Sequence, residues 1–139
     1  MRWPGGGLES AVMEQLWAAE ETRAEESHTG EPHVGLTVRQ VRDLLAPSRP
    51  LAYTTVLTVL DNLYKKGLAR RALVGRAYTY RAVASREEHA AELMAQALSA
   101  SADRSLAFLR FVDRMSAEDI AALRSALDRA TRHLDEESS

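Results

Sequence analysis

The chain has 139 residues, of which 45% are hydrophobic, and its formal net charge at pH 7 is −2. This length suits one domain, or one small domain with an oligomerisation segment. No apolar run approaches the length of a membrane span, and cysteine is absent. Nothing at the N-terminus pairs a basic region with a long apolar stretch, so no secretion signal is expected. These features exclude disulfides and thiolate metal sites within the chain and predict a cytoplasmic protein.

The charge is unevenly distributed along the chain. Residues 37–86 contain ten Lys or Arg against Asp43 and Asp61, a net charge of +8, whereas residues 1–36 and 87–139 each carry −5. Attraction to phosphates requires a local basic block of this kind. We therefore expect the middle of the chain to contact nucleic acid.

The first 35 residues predict one helix followed by a long loop. We expect residues 1–7 to be a flexible leader, residues 8–19 to form a helix with a buried apolar face, and the acidic segment 20–35 to be a loop. His28 and His33 lie in that loop. Because no carboxylate or thiol stands at ligand spacing from them, we predict no metal site there.

Two short helices joined by a tight turn are predicted next. Thr37 and Gln40 form a capping box at the start of one helix, and the prolines within residues 46–50 end it. The following helix, within residues 51–67, has an apolar stripe and an opposite face of small polar groups, and Gly67 ends it. This is a helix-turn-helix, whose second helix would place slim donors and acceptors in the DNA major groove. The alternative is a surface helix whose polar face is merely solvated.

A β-hairpin is predicted directly after the third helix. Residues 68–74 and 77–83 have the period of half-buried strands and flank Gly75 and Arg76. Three helices followed by a hairpin is the order of a winged helix-turn-helix. Arg76 would lie at the wing tip, where it can contact a phosphate or the minor groove; the alternative is an exposed turn residue.

The C-terminal part predicts three further helices. Ser85 with Glu88 and Ser116 with Asp119 mark two helix starts, and residues 104–115 between them carry more apolar surface than a short exposed helix needs. About 50 residues are too few to enclose a core, so we expect dimerisation, with packing against the winged helix as the alternative. The predicted interface residues are Leu106, Phe108, Leu109, Phe111, Val112, Ile120, Leu123 and Leu127.

The predicted fold class is mainly α, with a winged helix-turn-helix (three helices plus a β-hairpin wing) followed by a C-terminal helical dimerisation module. The predicted domains are a flexible leader at 1–7, a DNA-binding domain at 8–84, a helical dimerisation domain at 85–134 and a flexible tail at 135–139.

Several stretches share their order and spacing with one protein family. They are Leu8–Trp17, Leu51–Val56, Thr58–Leu60, Leu63, Lys65–Leu68, Tyr78–Tyr80, Leu106–Val112, Ser116–Ile120 and Leu123. This ordered set resembles the penicillinase-repressor (BlaI/MecI) family of bacterial transcription factors, from residue 8 to about residue 130.

The resemblance implies a homodimer that represses transcription by binding a two-fold-symmetric operator in double-stranded DNA. The DNA-binding residues predicted on this basis, with the wing-tip residue included, are Tyr53, Thr54, Thr55, Thr58, Asn62, Lys65, Lys66 and Arg76. Other family members carry long basic side chains at the positions of Thr54 and Asn62, where this chain has shorter neutral ones.

The resemblance also implies how repression is relieved. In the family a membrane sensor detects a β-lactam. The repressor is then cut in its dimerisation segment, by this sensor protease or by a protease downstream of it. The cut aligns with Arg110 and Phe111, where the family's Phe is kept and Arg replaces its Asn. No small-molecule ligand and no cofactor is implied.

A protein-interaction module is the main alternative function, with the third helix docking a protein rather than DNA. The local charge of +8 disfavours it. An enzyme is not expected, because the chain has no Cys nucleophile, no Gly-rich phosphate loop and only scattered histidines.

Overall fold

The computed structural model of the protein describes residues 7–25 and 35–138, which form six helices and three strands. The helices are α1 (Gly7–Glu25), α2 (Val38–Leu45), α3 (Tyr53–Lys65), α4 (Arg86–Ala100), α5 (Arg104–Asp113) and α6 (Ala117–Ser138). The strands are β1 (Leu36–Thr37), β2 (Ala69–Val74) and β3 (Ala77–Ala82). The predicted fold class, a winged helix followed by C-terminal helices, is confirmed.

The chain divides into two compact units after Ala90, within α4. The first unit has a core formed by the inner faces of α1, α2 and α3 and by β3 of the sheet. Its buried residues recur at the three- and four-residue spacing of a helix face, which places them on one side of each helix. The buried helical hydrophobics are Val12, Met13, Leu16, Trp17, Val38, Val41, Leu45, Val56, Val59, Leu60 and Leu63.

The sheet has the strand order β1-β3-β2 and is antiparallel throughout. Leu36 pairs with Tyr80 and Thr37 with Thr79, so the wing is joined directly to the residue that caps the start of α2. Strand β1 was not predicted, because two residues are too few to show a period. Its presence makes β3 the central strand, and consecutive residues Thr79 and Tyr80 are therefore both buried.

Helix α1 is longer than predicted. The sequence predicts a loop over residues 20–35, but α1 continues through Glu25. Glu and Ala are good helix formers. An ion pair between Glu20 Oε1 and Arg81 Nε, 2.9 Å apart, also joins this part of the helix to β3. His28, His33 and the predicted leader up to residue 6 lie outside the described residues. At the other end, α6 extends to Ser138, so most of the predicted flexible tail at 135–139 is helical.

The helix-start signals predicted from the sequence are present. The capping box at Thr37 is present: its Oγ1 accepts a bond from the Gln40 amide at 3.1 Å, and the Gln40 side chain accepts one from the Thr37 amide at 2.8 Å. Ser85 and Ser116 likewise accept bonds from the amides of Glu88 and Asp119, at 3.0 and 3.1 Å. These contacts span three residues, so the sequence alone defines them.

Replacement of Gly35 by Ala is expected to destabilise the first unit. Its φ is +91°, and an added Cβ would lie 2.7 Å from the Tyr80 carbonyl oxygen, so backbone strain is combined with a clash against the central strand. We expect a loss of roughly 2 to 4 kcal/mol in the free energy of unfolding, measured in urea. Gly67→Ala is the matched control: its φ is +79° but an added Cβ meets nothing within 4 Å, so only the strain of about 1 to 2 kcal/mol applies. Equal losses in the two variants would contradict the clash.

The second unit contains the rest of α4 together with α5 and α6. The Asp103 side chain caps α5 by accepting a bond from the Leu106 amide at 3.1 Å. Across residues 91–138 no side chain is fully buried, although many are large and apolar. Throughout the described ranges, no helix is long and apolar enough to cross a membrane.

Candidate nucleic-acid interface

Helix α3 carries an exposed polar face opposite its buried stripe. Tyr53, Thr54, Thr58 and Asn62 are exposed along this face, whereas Thr55 is half-buried beside the core. Because Thr54, Thr58 and Asn62 have short side chains, this part of the helix can approach a groove between two rows of phosphates closely. The structure thus brings four of the predicted DNA-binding residues onto one accessible surface.

Two side chains on this face differ in what they can offer a base. The Thr58 hydroxyl donates its proton to the Thr54 carbonyl oxygen at 2.9 Å, which leaves the lone pairs of its oxygen and its methyl group for an outside contact. The Asn62 amide has no side-chain hydrogen bond to any other described residue, so both its donor and its acceptor are available. Asn62 is therefore the group on this face best suited to form two hydrogen bonds with one base.

Asp61 lies beside this face, where a free carboxylate would repel phosphates. Its two oxygens contact Lys65 Nζ at 2.9 Å and Arg71 Nη1 at 3.5 Å. The Arg71 guanidinium is stacked against the rings of Tyr64 and Tyr78, with its Cζ 4.1 and 4.5 Å from their centroids. Two cations thus offset the acid, and the aromatic stack joins the end of α3 to the wing.

Sequence reasoning did not identify Arg71. A side-chain hydrogen bond with Tyr80 is the main cause that raises the pKa of Arg71 above its ordinary value. The hairpin register could have indicated the position of Arg71, because a turn at Gly75 and Arg76 places Arg71 opposite Tyr80.

The basic side chains of residues 37–86 fall into two groups. Six form ion pairs with carboxylates: Arg42 with Asp43, Lys65 and Arg71 with Asp61, Lys66 with Glu9, Arg81 with Glu20, and Arg86 with Glu14 and Glu21. The other four have no carboxylate partner among residues 7–25 and 35–138: Arg39, Arg49, Arg70 and Arg76. The acids of α1 therefore neutralise part of the basic block, and the unpaired arginines hold much of the charge that remains available to phosphates.

Lys65 and Lys66 differ despite being neighbours. Lys65 Nζ is on the outer side of α3, and 69% of its side chain is exposed. Lys66 Nζ instead contacts both carboxylate oxygens of Glu9 at 2.8 and 2.9 Å, and the Glu9 side chain is only 9% exposed. The charge of Lys66 therefore offsets a buried acid within the fold.

Comparison with known proteins identifies the family. The family model described as penicillinase repressor matches residues 31–129. The chain is also 42% identical over 125 residues to Transcriptional regulator BlaI of Mycobacterium tuberculosis, in strains CDC 1551 / Oshkosh and ATCC 25618 / H37Rv, covering 88% of this chain and 81% of each relative. The chain belongs to the penicillinase repressor family. It is therefore a DNA-binding transcriptional repressor and not an enzyme, and the resemblance seen in the sequence is confirmed.

The predicted interface residues of the repressor lie on α5 and α6. Leu106, Phe108, Leu109, Phe111, Val112 and Leu127 are exposed in the single chain, and Ile120 and Leu123 are half-buried. Such a concentration of exposed apolar side chains on two neighbouring helices is unusual for a monomer. The second unit thus has a large apolar surface that nothing within it covers.

The peptide bond between Arg110 and Phe111 lies inside α5. The Phe111 carbonyl accepts a bond from the Arg114 amide at 3.1 Å, so this part of the backbone is hydrogen-bonded. A protease binds its substrate as an extended chain, and this bond would become accessible only when the end of α5 unwinds.

The described part of the repressor has no cluster of acidic and His side chains of the kind that binds metals. Over residues 7–25 and 35–138, no three His, Asp or Glu side chains are grouped so that they could hold a metal ion.

Proposed function

We propose that the repressor acts as a homodimer on a two-fold-symmetric operator, with α3 of each copy in the major groove. The observation that carries the proposal is the exposed face of α3, with its short polar groups and the uncommitted Asn62 amide. We further propose that the protein works in the cytoplasm.

Two kinds of contact would act together at the operator. Asn62, Thr58 and Thr54 would contact base edges, each good contact contributing about 1 to 3 kcal/mol of discrimination. Tyr53, Thr55, Lys65 and Arg76 would contact the DNA backbone. The two cations among them, Lys65 and Arg76, would release counterions from the phosphates and so give affinity without sequence information. We assign Lys66 to the fold rather than to DNA, because its Nζ is bound to Glu9.

The dimer would form through the apolar residues of α5 and α6. Burial of each large apolar side chain contributes roughly 1.5 to 3 kcal/mol, and two-fold symmetry makes every contact occur twice. The two copies of α3 would then meet half-sites about one helical turn apart, or a small multiple of it.

Relief of repression would follow from cleavage between Arg110 and Phe111, by a membrane sensor protease that detects a β-lactam or by a protease acting after it. In a dissociated copy, helix α5 has ten residues and no buried side chain, so its local opening there would cost little compared with global unfolding. The cut would separate Phe111 and all of α6 from the DNA-binding unit. The dimer, and with it the operator complex, would be lost.

Asn62→Ala is expected to weaken operator binding and leave binding to random DNA almost unchanged. Loss of contacts to one base corresponds to about 1 to 3 kcal/mol, or roughly a 5- to 150-fold weaker complex. The measurement is a titration of a duplex selected from genomic DNA against a random duplex of equal length. Gln96→Ala, which removes an exposed amide from α4, serves as the control. An equal loss on both duplexes would rule out base recognition by Asn62.

The alternative of a protein-interaction module has less support. Four arginines near α3 and the wing have no carboxylate partner within the described ranges, and such uncommitted cations suit a polyanion better than an apolar partner surface. A complex whose affinity ignores salt would favour the alternative.

A further inference from the structure

A groove of about 510 Å³ lies beside the outer face of α3, between that helix, the start of α2 and the wing. Tyr53 and Leu57 line it from α3, and Ala77 and Tyr78 line it from the return strand of the wing. Two cations border it, Arg39 from α2 and Arg76 from the hairpin turn. The sequence did not point to Arg39 in any special role.

Both arginines that border the groove are available to bind an anion. Neither Arg39 nor Arg76 has a carboxylate partner in the described ranges, and both are exposed. Arg42, one turn further along α2, contacts Asp43 at 3.3 Å. The groove therefore concentrates two of the four unpaired arginines of the basic block.

The two sides of the groove are held together by the fold. Arg39 follows Thr37, whose side chain and backbone are fixed by the capping box with Gln40. Thr37 is also paired with Thr79 on β3, the strand that begins next to Arg76. Because α2 and the wing are joined at this point, the two arginines are borne by connected backbone elements, which need not move relative to each other on binding.

The chemistry of the groove fits a phosphodiester of duplex DNA. Phosphate rows border the major groove on both sides, so a helix inside it has one row at each flank. Guanidinium groups bind phosphate oxygens through paired, charge-assisted hydrogen bonds. The apolar side chains of Leu57 and Ala77 suit the adjoining deoxyribose, and the exposed Tyr53 and Tyr78 can add hydroxyl donors.

We propose that this groove is a backbone subsite, in which Arg39 together with Arg76 holds one DNA phosphodiester group next to the stretch contacted by α3. The subsite rests on the proposed function, since it requires α3 to enter the major groove. The subsite adds Arg39 to the proposed DNA contacts and assigns Arg76 to the same phosphodiester group.

The first test compares Arg39→Ala with Arg42→Ala, its matched control on the same helix. Loss of one phosphate contact should weaken binding roughly tenfold and reduce the slope of log K against log salt by about 0.9. The effect should be equal on a selected genomic duplex and on a random duplex, because phosphates carry no sequence information. Arg42→Ala should leave the slope unchanged, and thermal melts of both variants check that they are folded.

The second test removes the charge from single phosphates of the selected duplex by methylphosphonate substitution. At one flanking position the substitution should weaken the wild-type complex, but should cause little further loss with Arg39→Ala or Arg76→Ala. If both variants lose as much as the wild type at every position, or if Arg39→Ala behaves like Arg42→Ala, the subsite is wrong while the proposed function stands. If the wild type shows no salt-dependent binding to any duplex, the proposed function fails and the subsite fails with it.

Discussion

Phe111→Glu is expected to convert the repressor from a dimer into a monomer and to abolish tight operator binding. The Phe111 side chain is 50% exposed on α5 of the single chain, and in the proposed dimer it is buried. A carboxylate at this position would be desolvated in both copies of a symmetric interface, which costs several kcal/mol. Because the dimer links two DNA-binding units, its loss should weaken operator binding by roughly 100-fold or more.

Light scattering coupled to size exclusion measures the mass, and a titration of the selected duplex measures the affinity. Leu44→Glu is the control for the oligomeric state, because Leu44 is an equally exposed apolar residue on α2 outside the proposed interface. Residual weak binding of Phe111→Glu to random DNA would show that the DNA-binding unit is intact. A dimer mass for Phe111→Glu at micromolar concentration would refute the interface assignment.

Lys66→Met is expected to lower stability, while Lys65→Met is expected to lower DNA affinity. Removing the Lys66 ammonium leaves the Glu9 carboxylate nearly buried and without this partner, which costs roughly 1 to 3 kcal/mol of the free energy of unfolding. Lys65 forms an exposed pair with Asp61, and its loss should cost less than about 0.5 kcal/mol. Urea unfolding of the two variants gives the first comparison, and the salt dependence of DNA binding gives the second.

A double variant separates the ion pair from other effects of the substitution. Glu9→Gln in the Lys66→Met background removes the unpaired charge, so it should restore much of the lost stability. Equal destabilisation by Lys66→Met and Lys65→Met, with no recovery in the double variant, would mean that the contact between Lys66 and Glu9 contributes nothing. A smaller slope of log K against log salt for Lys66→Met would show that Lys66 contacts DNA.

The features that the sequence predicted correctly depend on neighbours a few residues apart. The capping box of Thr37 with Gln40 spans three residues, and the apolar stripe of α3 has the helical period, so each is defined without the rest of the fold. The hairpin followed from alternation around Gly75 and Arg76. The end of α1 was misplaced, because the acidic composition after residue 19 suggested a loop although Glu and Ala favour a helix.

The sequence by itself determined the family, the order of the helices and of the hairpin strands, and which face of α3 is polar, since these depend on local periodicity and on motifs at fixed spacing. Only the tertiary structure decided which cations remain free for DNA. Lys66 is separated from Glu9 by 57 residues and Arg86 from Glu14 by 72, and charge neutralisation depends on distance in space rather than along the chain. For the same reason, a two-residue strand and the groove between Arg39 and Arg76 became evident only when α2 and the wing were placed side by side.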